Sequence, residues 1–436
     1  MKFYIHTLGC KVNQYESQAI ETLLTEQGHV SSPDADSCDV IIINTCSVTA
    51  ESDRKSRQTV RKLRRQCPNA VIAVCGCFSQ ISPDSAEEIG ADVISGSGVK
   101  LPFIDDVLRA YDEKKKLRDE NIKLKSVDES RYRRSFERLS PGNLSGKTRA
   151  LLKIQDGCSN YCAYCIIPYS RGPSRSLEPD EAAQYAYQLS RDGYKEIVIT
   201  GIEIASYGRD LTPKYMLGDV VSSIAKAAPE TRLRLGSLEP RVITDDFCRI
   251  ISGFGNICPH FHLSLQSGCD ETLSRMRRRY DTARFYESVE LLRRYFPGCA
   301  VAADLITGFP GETDEEFSKT LKFIEKCDFA FMHIFPYSER PGTAAASMPD
   351  SVPKAVRKDR AAKAAEIAGR MERDYLASCV GKEVNVLFEQ GKDGYFTGHA
   401  ENYCEVTCRG EDLHNQVRRV LIKGAGNGVL FGDILL

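Results

Sequence analysis

The sequence predicts an α/β protein in three parts: an N-terminal parallel α/β sheet domain, a central partial (β/α)6 TIM-like barrel, and a small C-terminal all-β barrel. Three observations lead there. Apolar β-type runs alternate with helical periodicity over residues 1–100. The alternation stops over a charged stretch and restarts at Arg149. Beyond residue 378 it gives way to short apolar strands separated by Gly and Asn turns. At 436 residues the chain is too long for one core, and about three domains is the ordinary expectation.

In the first part, Lys2–Leu8, Val40–Asn44, Ala70–Val74 and Ala91–Ser95 read as strands, with helices over Tyr15–Gln27 and Ser52–Gln66. Residues 111–148 are highly charged, lack apolar periodicity, and read as a solvated helix and linker. Ala150–Gln155, Glu196–Thr200, Arg232–Ser237, His260–Gln266, Ala300–Ile306 and Phe329–Phe335 are the candidate barrel strands. Val356–Ser378 reads as a helical tether. The resulting boundaries are 1–110, a linker at 111–148, 149–378 and 379–436.

Lys+Arg number 59 and Asp+Glu 60, a formal net charge of −1. A nucleic-acid partner must therefore be held by local basic patches. The N-terminus has no signal-peptide pattern, and no apolar run approaches the ~20 residues of a membrane span. A cytoplasmic protein with no membrane contact is expected. In a reducing compartment the 17 cysteines are not expected to form disulfides, so clustered ones point to metal or catalysis. Cys38, Cys67, Cys248, Cys258, Cys299, Cys327 and Cys379 lie singly and read as packing residues.

Cys158, Cys162 and Cys165 form C-x3-C-x2-C directly after the first barrel strand. Thiolates suit iron–sulfur clusters or zinc. Structural zinc takes four ligands, and no fourth Cys or His stands nearby in the sequence. Three thiolates on a [4Fe–4S] cluster leave one iron open to the amino and carboxylate groups of S-adenosylmethionine (SAM). The loop lies at the C-terminal end of a barrel strand, where such folds place their chemistry.

Cys10, Cys46 and Cys77 each follow an N-terminal strand. In a parallel sheet such positions converge on one edge, although these are 36 and 31 residues apart. Gly9 and Gly76 allow close backbone approach. Convergence implies a second cluster with an open iron; three separate buried thiols are the other reading. Cys75 is an alternative ligand in the third loop, but it is expected inside the buried strand.

The segment KIQDGCSNYCAYCIIPYSRGPSRS resembles the radical SAM superfamily. LGCKVNQYES, NTCSVTAESDRKSRQ and GCFSQ resemble the methylthiotransferase N-terminal domain. TGIEIASYG, LGSLEP, HLSLQSGCDETLSRMRRRY, DLITGFPGET and HIFPYSERPGT continue the match, and GHAENYCEV resembles the TRAM RNA-binding domain. The resemblance covers essentially the whole chain, and KVNQYES and SDRKSRQ are similar to the MtaB-type branch. It implies methylthiolation of C2 of N6-threonylcarbamoyladenosine at tRNA position 37, with two SAM and two [4Fe–4S] clusters. The partners would be a tRNA anticodon stem-loop and an electron donor such as flavodoxin or ferredoxin.

The resemblance also implies that Tyr164 lies against the adenine of SAM and that Glu239 bonds its ribose hydroxyls. Ser264 and Gln266 end a barrel strand and are pocket candidates. Thr200-Gly-Ile-Glu203 departs from the glycine-glycine-glutamate common in the superfamily, leaving Glu203 open as a SAM ligand. Asp304 is an acid in an apolar run and needs a partner. Gly308, Pro310 and Gly311 make a tight turn that would pass close to SAM. Arg340 is a candidate for the threonyl carboxylate, a phosphate or an ordinary salt bridge.

Arg54, Arg57, Arg61 and Arg64 share a helical face with Lys55, Lys62 and Arg65 nearby, a candidate phosphate rail. Arg275, Arg277, Arg278 and Arg279 form a second basic patch. Tyr395, Phe396, His399 and Tyr403 are aromatics for stacking on bases or filling a barrel core. Two rivals are a sibling enzyme acting on an isopentenyladenosine tRNA or a ribosomal protein, and a non-catalytic zinc-stabilised RNA-binding protein.

Overall fold

In the computed structural model, which describes residues 1–117, 122–142 and 147–435, the N-terminal β-branched runs form a six-stranded sheet. Its strands are β1 (Lys2–Thr7), β2 (Val30–Ser31), β3 (Val40–Thr45), β4 (Val71–Gly76), β5 (Val93–Ser95) and β6 (Leu124–Ser126). The order is β2-β1-β3-β4-β5-β6, and every neighbouring pair is parallel. β3 and β4 are buried on both faces, which explains their unbroken apolar runs. The helices are α1 (Lys11–Glu26), α2 (Ala50–Gln66), α3 (Cys77–Ile81), α4 (Pro83–Glu88) and α5 (Lys100–Leu117). Thr49 caps α2 by accepting the Ser52 N–H at 3.0 Å. One face of the sheet packs Phe3, Val40 and Ala73 against Ile20, Phe103 and Val107. The other packs Ile41, Ile43 and Ile72 with Val60 and Leu63.

The stretch 111–148, expected as a solvated connector, also contributes to the sheet. α5 runs into it, and β6 pairs with β5 through Leu124 opposite Val93. Alternation in β6 is too short to register as periodicity. The linker expectation for residues 118–121 and 143–146 lies outside the described residues.

The chain divides into two units. The first comprises residues 1–144, 155–177 and 339–346, and the second residues 145–154, 178–338 and 347–436. The first thus combines the N-terminal sheet with the C-x3-C-x2-C loop and the ERPGT loop. It also holds the end of β7 (Arg149–Asp156), α6 (Ile167–Arg171) and β8 (Arg175–Ser176).

In the second unit all six expected barrel strands are present. They are β7 up to residue 154, β9 (Glu196–Gly201), β10 (Arg232–Leu235), β11 (His260–Gln266), β12 (Ala300–Thr307) and β13 (Phe331–Pro336). They fall in two sheets, ordered β10-β9-β7 and β11-β12-β13, with single parallel bridges Leu233–Ile257 and Leu238–Leu263 between the groups. The intervening helices are α7 (Pro179–Arg191), α8 (Leu217–Ala227), α9 (Asp245–Ser252), α10 (Asp270–Arg275), α11 (Thr282–Tyr295) and α12 (Asp314–Cys327). A capping box starts α12, where Thr313 and Glu316 satisfy each other's backbone N–H groups.

The tether α13 (Lys354–Cys379) leads to a closed five-stranded barrel. Its strands are β14 (Glu383–Lys392), β15 (Tyr395–Ala400), β16 (Glu405–Arg409), β17 (Val417–Gly426) and β18 (Val429–Ile434), ordered β14-β15-β16-β18-β17. Val386, Phe388, Val406, Val420, Ile422 and Leu430 fill it. Among the described residues no helix is long and apolar enough to cross a membrane.

Candidate active site

Three strand ends carry the first set of thiols. β1, β3 and β4 are neighbours in register, with Thr7 opposite Asn44 and Thr45 opposite Gly76. Cys10 caps α1, Cys46 follows β3, and Cys77 opens α3, so all three reach the same sheet edge. Cys75 lies inside β4, fully buried. The edge is tight: a Cβ on Gly9 would stand 3.0 Å from the Cys46 Sγ, and φ is +104° at Gly9. A Cβ on Gly76 would come within 2.4 Å of the Thr45 carbonyl.

The thiols act on one another electrically. Burial pushes the Cys46 thiol up to about 11, with Cys77 and Cys10 adding to the rise. Burial also raises Cys10, although its surface is partly open; Arg171 opposes this rise and Cys77 adds to it. Among the described residues no three His, Cys, Asp or Glu side chains stand close enough to share a single metal ion. A cubane is held at its corners, so its thiolates stand farther apart than the ligands of one ion.

A buried polar group backs this edge. Arg171 is fully buried, and its guanidinium donates to Glu16 Oε1 at 2.7 Å, Asn13 Oδ1 at 2.8 Å and Asp156 Oδ1 at 3.1 Å. Asn13 in turn donates to the carbonyls of Leu8 at 2.9 Å and Thr45 at 3.0 Å, which lie beside Cys10 and Cys46. Arg171 Nε is buried without an acceptor. An orphaned N–H that acts on Cys10 and Cys77 suits a bound anionic cluster. Sequence reasoning missed Arg171, Asn13 and Glu16. The signal was present: Asn13, Glu16 and Ser17 are polar residues at helical spacing on a buried face.

The second set lies in the same unit. Cys158 is buried, while Cys162, Tyr164 and Cys165 are partly exposed. The Cys158 N–H donates to the Gly172 carbonyl at 3.0 Å, and the Cys165 N–H to the Cys162 carbonyl at 3.0 Å. Gly157 has φ +71°, and a Cβ there would stand 2.0 Å from the Pro173 carbonyl, so this loop requires glycine. α6, which follows Cys165, packs on α3, which begins at Cys77.

The ERPGT loop also touches both cysteine regions. Arg340 donates to Ser47 Oγ at 2.6 Å and Asp53 Oδ2 at 3.1 Å, beside Cys46. The Ala345 N–H donates to the Ala163 carbonyl at 2.7 Å. Of the three expectations for Arg340, the structure shows the salt bridge. Burial alone would raise Asp53; Arg57 and Arg340 overcome this and hold it below the usual carboxylate range.

The expected phosphate rail is changed. Arg54 pairs with Glu51, Arg57 with Asp53 and Arg64 with Asp92. The same helical spacing that aligns arginines on α2 also brings acids to i−3 and i−4. Arg61, Lys62 and Arg65 line a surface cavity with Gln58.

In the second unit, acids gather at the strand ends. Burial pushes the Glu203 carboxyl up to about 7; Arg278 opposes this and Glu239 adds to it. Glu239 is itself buried and accepts both bonds of Arg241 Nε, at 2.7 and 3.0 Å. Gln266 ends β11 at φ +68°, after a register shift that begins at Leu263. The Ser264 carbonyl accepts from Tyr280 and Arg278. Asp304 is partly exposed, and its Oδ1 lies 3.0 Å from His262 Nε2. At Gly308 the close neighbour is Arg357, whose Cγ would lie 2.5 Å from a Cβ. The turn's glycine is thus explained by packing on α13. Arg275 pairs with Glu316, so the second basic patch is partly neutralised.

The C-terminal aromatics divide. Tyr403 stacks between His260 and His399, each ring 4.8 Å away, with the Arg234 guanidinium 4.7 Å from its centroid. Tyr403 and His399 are therefore occupied by protein rather than free to stack on bases. Phe396 packs against the barrel core, and Tyr395 alone of the four is exposed.

Residues 2–96 match the uncharacterized protein family UPF0004, and residues 152–324 match the radical SAM superfamily. The chain is 37% identical over 434 residues to the threonylcarbamoyladenosine tRNA methylthiotransferase MtaB of Bacillus subtilis, covering 97% of this chain and 93% of that protein. It is 35% identical to the MtaB of Thermotoga maritima, covering 91% of this chain and 90% of that one. The tRNA-2-methylthio-N(6)-dimethylallyladenosine synthase of B. subtilis is 31% identical, covering 100% and 86%. Among solved structures, the radical S-adenosylmethionine methyltransferase TsrM from Kitasatospora setae superposes with a TM-score of 0.56 at 14% identity. That match covers 91% of this chain and 77% of TsrM, and it speaks for the fold alone. The matches over nearly the whole length imply [4Fe–4S] clusters and SAM as cofactors. With both its N-terminal sheet and its barrel matched, the chain belongs to the radical SAM methylthiotransferase family.

Proposed function

We propose that this enzyme places a methylthio group on C2 of N6-threonylcarbamoyladenosine at position 37 of tRNA. Cys158, Cys162 and Cys165 hold one [4Fe–4S] cluster, and Cys10, Cys46 and Cys77 hold a second. The observation that carries this reading is the convergence of three thiols on one sheet edge, in the same unit as the C-x3-C-x2-C loop. Two clusters with open irons suit a reaction that needs both a radical and a sulfur source. Identity to MtaB proteins runs from 30% to 37%, against 31% for the dimethylallyladenosine enzyme of B. subtilis, and the higher values support the choice of substrate.

Carbon 2 of an adenine has a strong, unactivated C–H bond, beyond the reach of acid–base chemistry. When bound, the central cluster supplies the electron that cleaves SAM to a primary carbon radical able to take that hydrogen. The protein's part is to bind and orient. Tyr164 is assigned to the adenine of SAM; Glu239, Ser264 and Gln266 are assigned to the rest of the cofactor, with Glu239 toward the ribose hydroxyls. Glu203, held near neutrality by burial, ionises readily beside a cationic ligand. The Gly157 turn and the Cys158–Gly172 hydrogen bond hold the cysteine loop in one conformation.

For the anticodon stem-loop, Arg61, Lys62 and Arg65 offer phosphate contacts and Tyr395 an exposed ring. The target base must leave its stack to react. A flavodoxin or ferredoxin is the proposed electron donor, and the cytoplasm is the proposed location. Nucleoside mass spectrometry of tRNA from a strain lacking the gene tests the substrate. The methylthio form of threonylcarbamoyladenosine should disappear and return with the wild-type gene. Its persistence, with loss of a different methylthio nucleoside, would move the enzyme to a sibling substrate.

A further inference from the structure

The buried polar group behind Cys10 does more than fill space. Arg171 bonds Glu16 and Asp156; Lys100 Nζ lies 3.8 Å from Glu16, and Arg175 Nη2 lies 3.3 Å from Asp156. All five side chains are buried in the first unit. These five buried side chains carry three positive and two negative charges, one positive charge in sum, and the partly exposed Glu137 accepts the Lys100 backbone N–H. Burying unbalanced charge is costly unless a counter-charge is near.

Arg171 donates to Asn13 at 2.8 Å, and Asn13 follows Cys10 by three residues in α1, so the guanidinium lies one side chain behind the Cys10 loop. A [4Fe–4S]2+ core on three thiolates has one net negative charge, and one added electron makes it two. A fixed positive charge favours the more negative state and so raises the reduction potential. The geometry is equally specific. Arg171 reaches Asn13, and Asn13 ties the carbonyl before Gly9 to the carbonyl before Cys46.

We propose that Arg171 is a positioning residue of the N-terminal cluster: through Asn13 and Glu16 it fixes the Cys10 and Cys46 loops, and its buried charge sets the potential of the cluster they hold. The proposal rests on Cys10, Cys46 and Cys77 being ligands.

The experiment uses the full chain with Cys158, Cys162 and Cys165 all changed to Ala, reconstituted anaerobically with iron and sulfide. Potential is read by EPR-monitored redox titration. If this parent takes up no [4Fe–4S] cluster, the ligand assignment fails and the proposal falls with it. If it does, R171M should shift the midpoint downward, R171K should return it toward the parent, and E16Q, which removes a negative charge at nearly constant volume, should shift it upward. A cluster that loads with the same midpoint in R171M as in the parent overturns the proposal. So does an R171K midpoint displaced as far as that of R171M, which would mean a purely structural role. Should R171M fail to load iron, E16Q decides: an unchanged or lowered midpoint there overturns the proposal.

Discussion

Single residues in this enzyme sit in environments that ordinary packing would avoid. Glu203 is such a case, its carboxyl lifted to about 7 by burial and by Glu239, with Arg278 opposing. A folded value above the unfolded one of 4.5 means the native state holds a proton more tightly. The acid therefore weakens the ligand-free protein progressively as pH rises from about 4.5 through 7. E203Q is expected to stabilise the SAM-free protein by roughly 2–3 kcal/mol above pH 7, with the gain vanishing below pH ~4.5. Urea denaturation of both proteins at pH 4.5 and 7.5 checks this, and an equal difference at both pH values would contradict it.

Gly9 gives a second residue-scale prediction. A methyl at this position meets the Cys46 Cβ at 2.7 Å, and φ of +104° excludes most side chains. G9A should lose the N-terminal cluster and keep the central one, so that reconstituted iron falls to about half. Iron and sulfide analysis beside the wild type reads the outcome.

At the scale of elements, buried ion pairs add to the apolar packing that joins separate pieces. Glu196 at the start of β9 takes both guanidiniums of β10, with Arg234 Nε at 2.8 Å and Arg232 Nη2 at 2.6 Å. Those arginines then donate to carbonyls of the C-terminal barrel: Arg234 to Glu401 at 2.9 Å, and Arg232 to Asn385 at 3.0 Å. Burial alone would raise Glu196; Arg234, with Arg232 and Arg149, overcomes it and holds the carboxyl at about 2. Its folded value lies below the unfolded one, so the stabilisation is present above pH 4.5 and is lost as pH falls toward 2. E196Q leaves two arginines without their counter-charge and should cost about 3–5 kcal/mol at pH 7. Limited proteolysis should then cut in α13 or after it, releasing the C-terminal barrel. Resistance equal to the wild type would show that the apolar contacts hold it alone.

α2 shows how the same helical periodicity can mislead. Spacing alone put Arg54, Arg57, Arg61 and Arg64 on one rail, but acids at the same period pair with two of them, and Asp92, before β5, pairs with a third. The cations expected to meet phosphate are Arg61, Lys62 and Arg65. Changing all three to Gln should weaken tRNA binding and flatten its salt dependence, by about 0.9 in logarithmic slope for each phosphate no longer neutralised. Filter binding over a range of salt measures both, and an unchanged slope would remove α2 from the RNA interface.

At the scale of the whole molecule, strand and helix placement followed from the sequence because apolar periodicity survives folding. The parallel sheet, the six barrel strands and the five-stranded C-terminal barrel all lie where alternation put them. β6 escaped because three residues carry too little pattern to read. The convergence of Cys10, Cys46 and Cys77 was legible for a topological reason, since parallel strands deliver their ends to one edge. Partner choice was not legible in the same way. Tyr403 was open as an RNA-stacking ring or a core residue, and the structure sandwiches it between two histidines. Arg340 was open as a substrate contact or an ordinary salt bridge, and the structure shows the salt bridge, to Asp53, 287 residues away in the chain.

The sequence by itself determined the elements, their order and the cysteines available for chemistry, because these depend on local pattern and on the direction of strands. Tertiary structure alone decided which charges meet. It brought Arg171 to Glu16 across 155 residues and closed a buried group of three cations and two carboxylates behind the N-terminal thiols. Charge pairing in a low-dielectric interior depends on distances of a few ångströms between residues remote in sequence, and no periodicity in the chain records them.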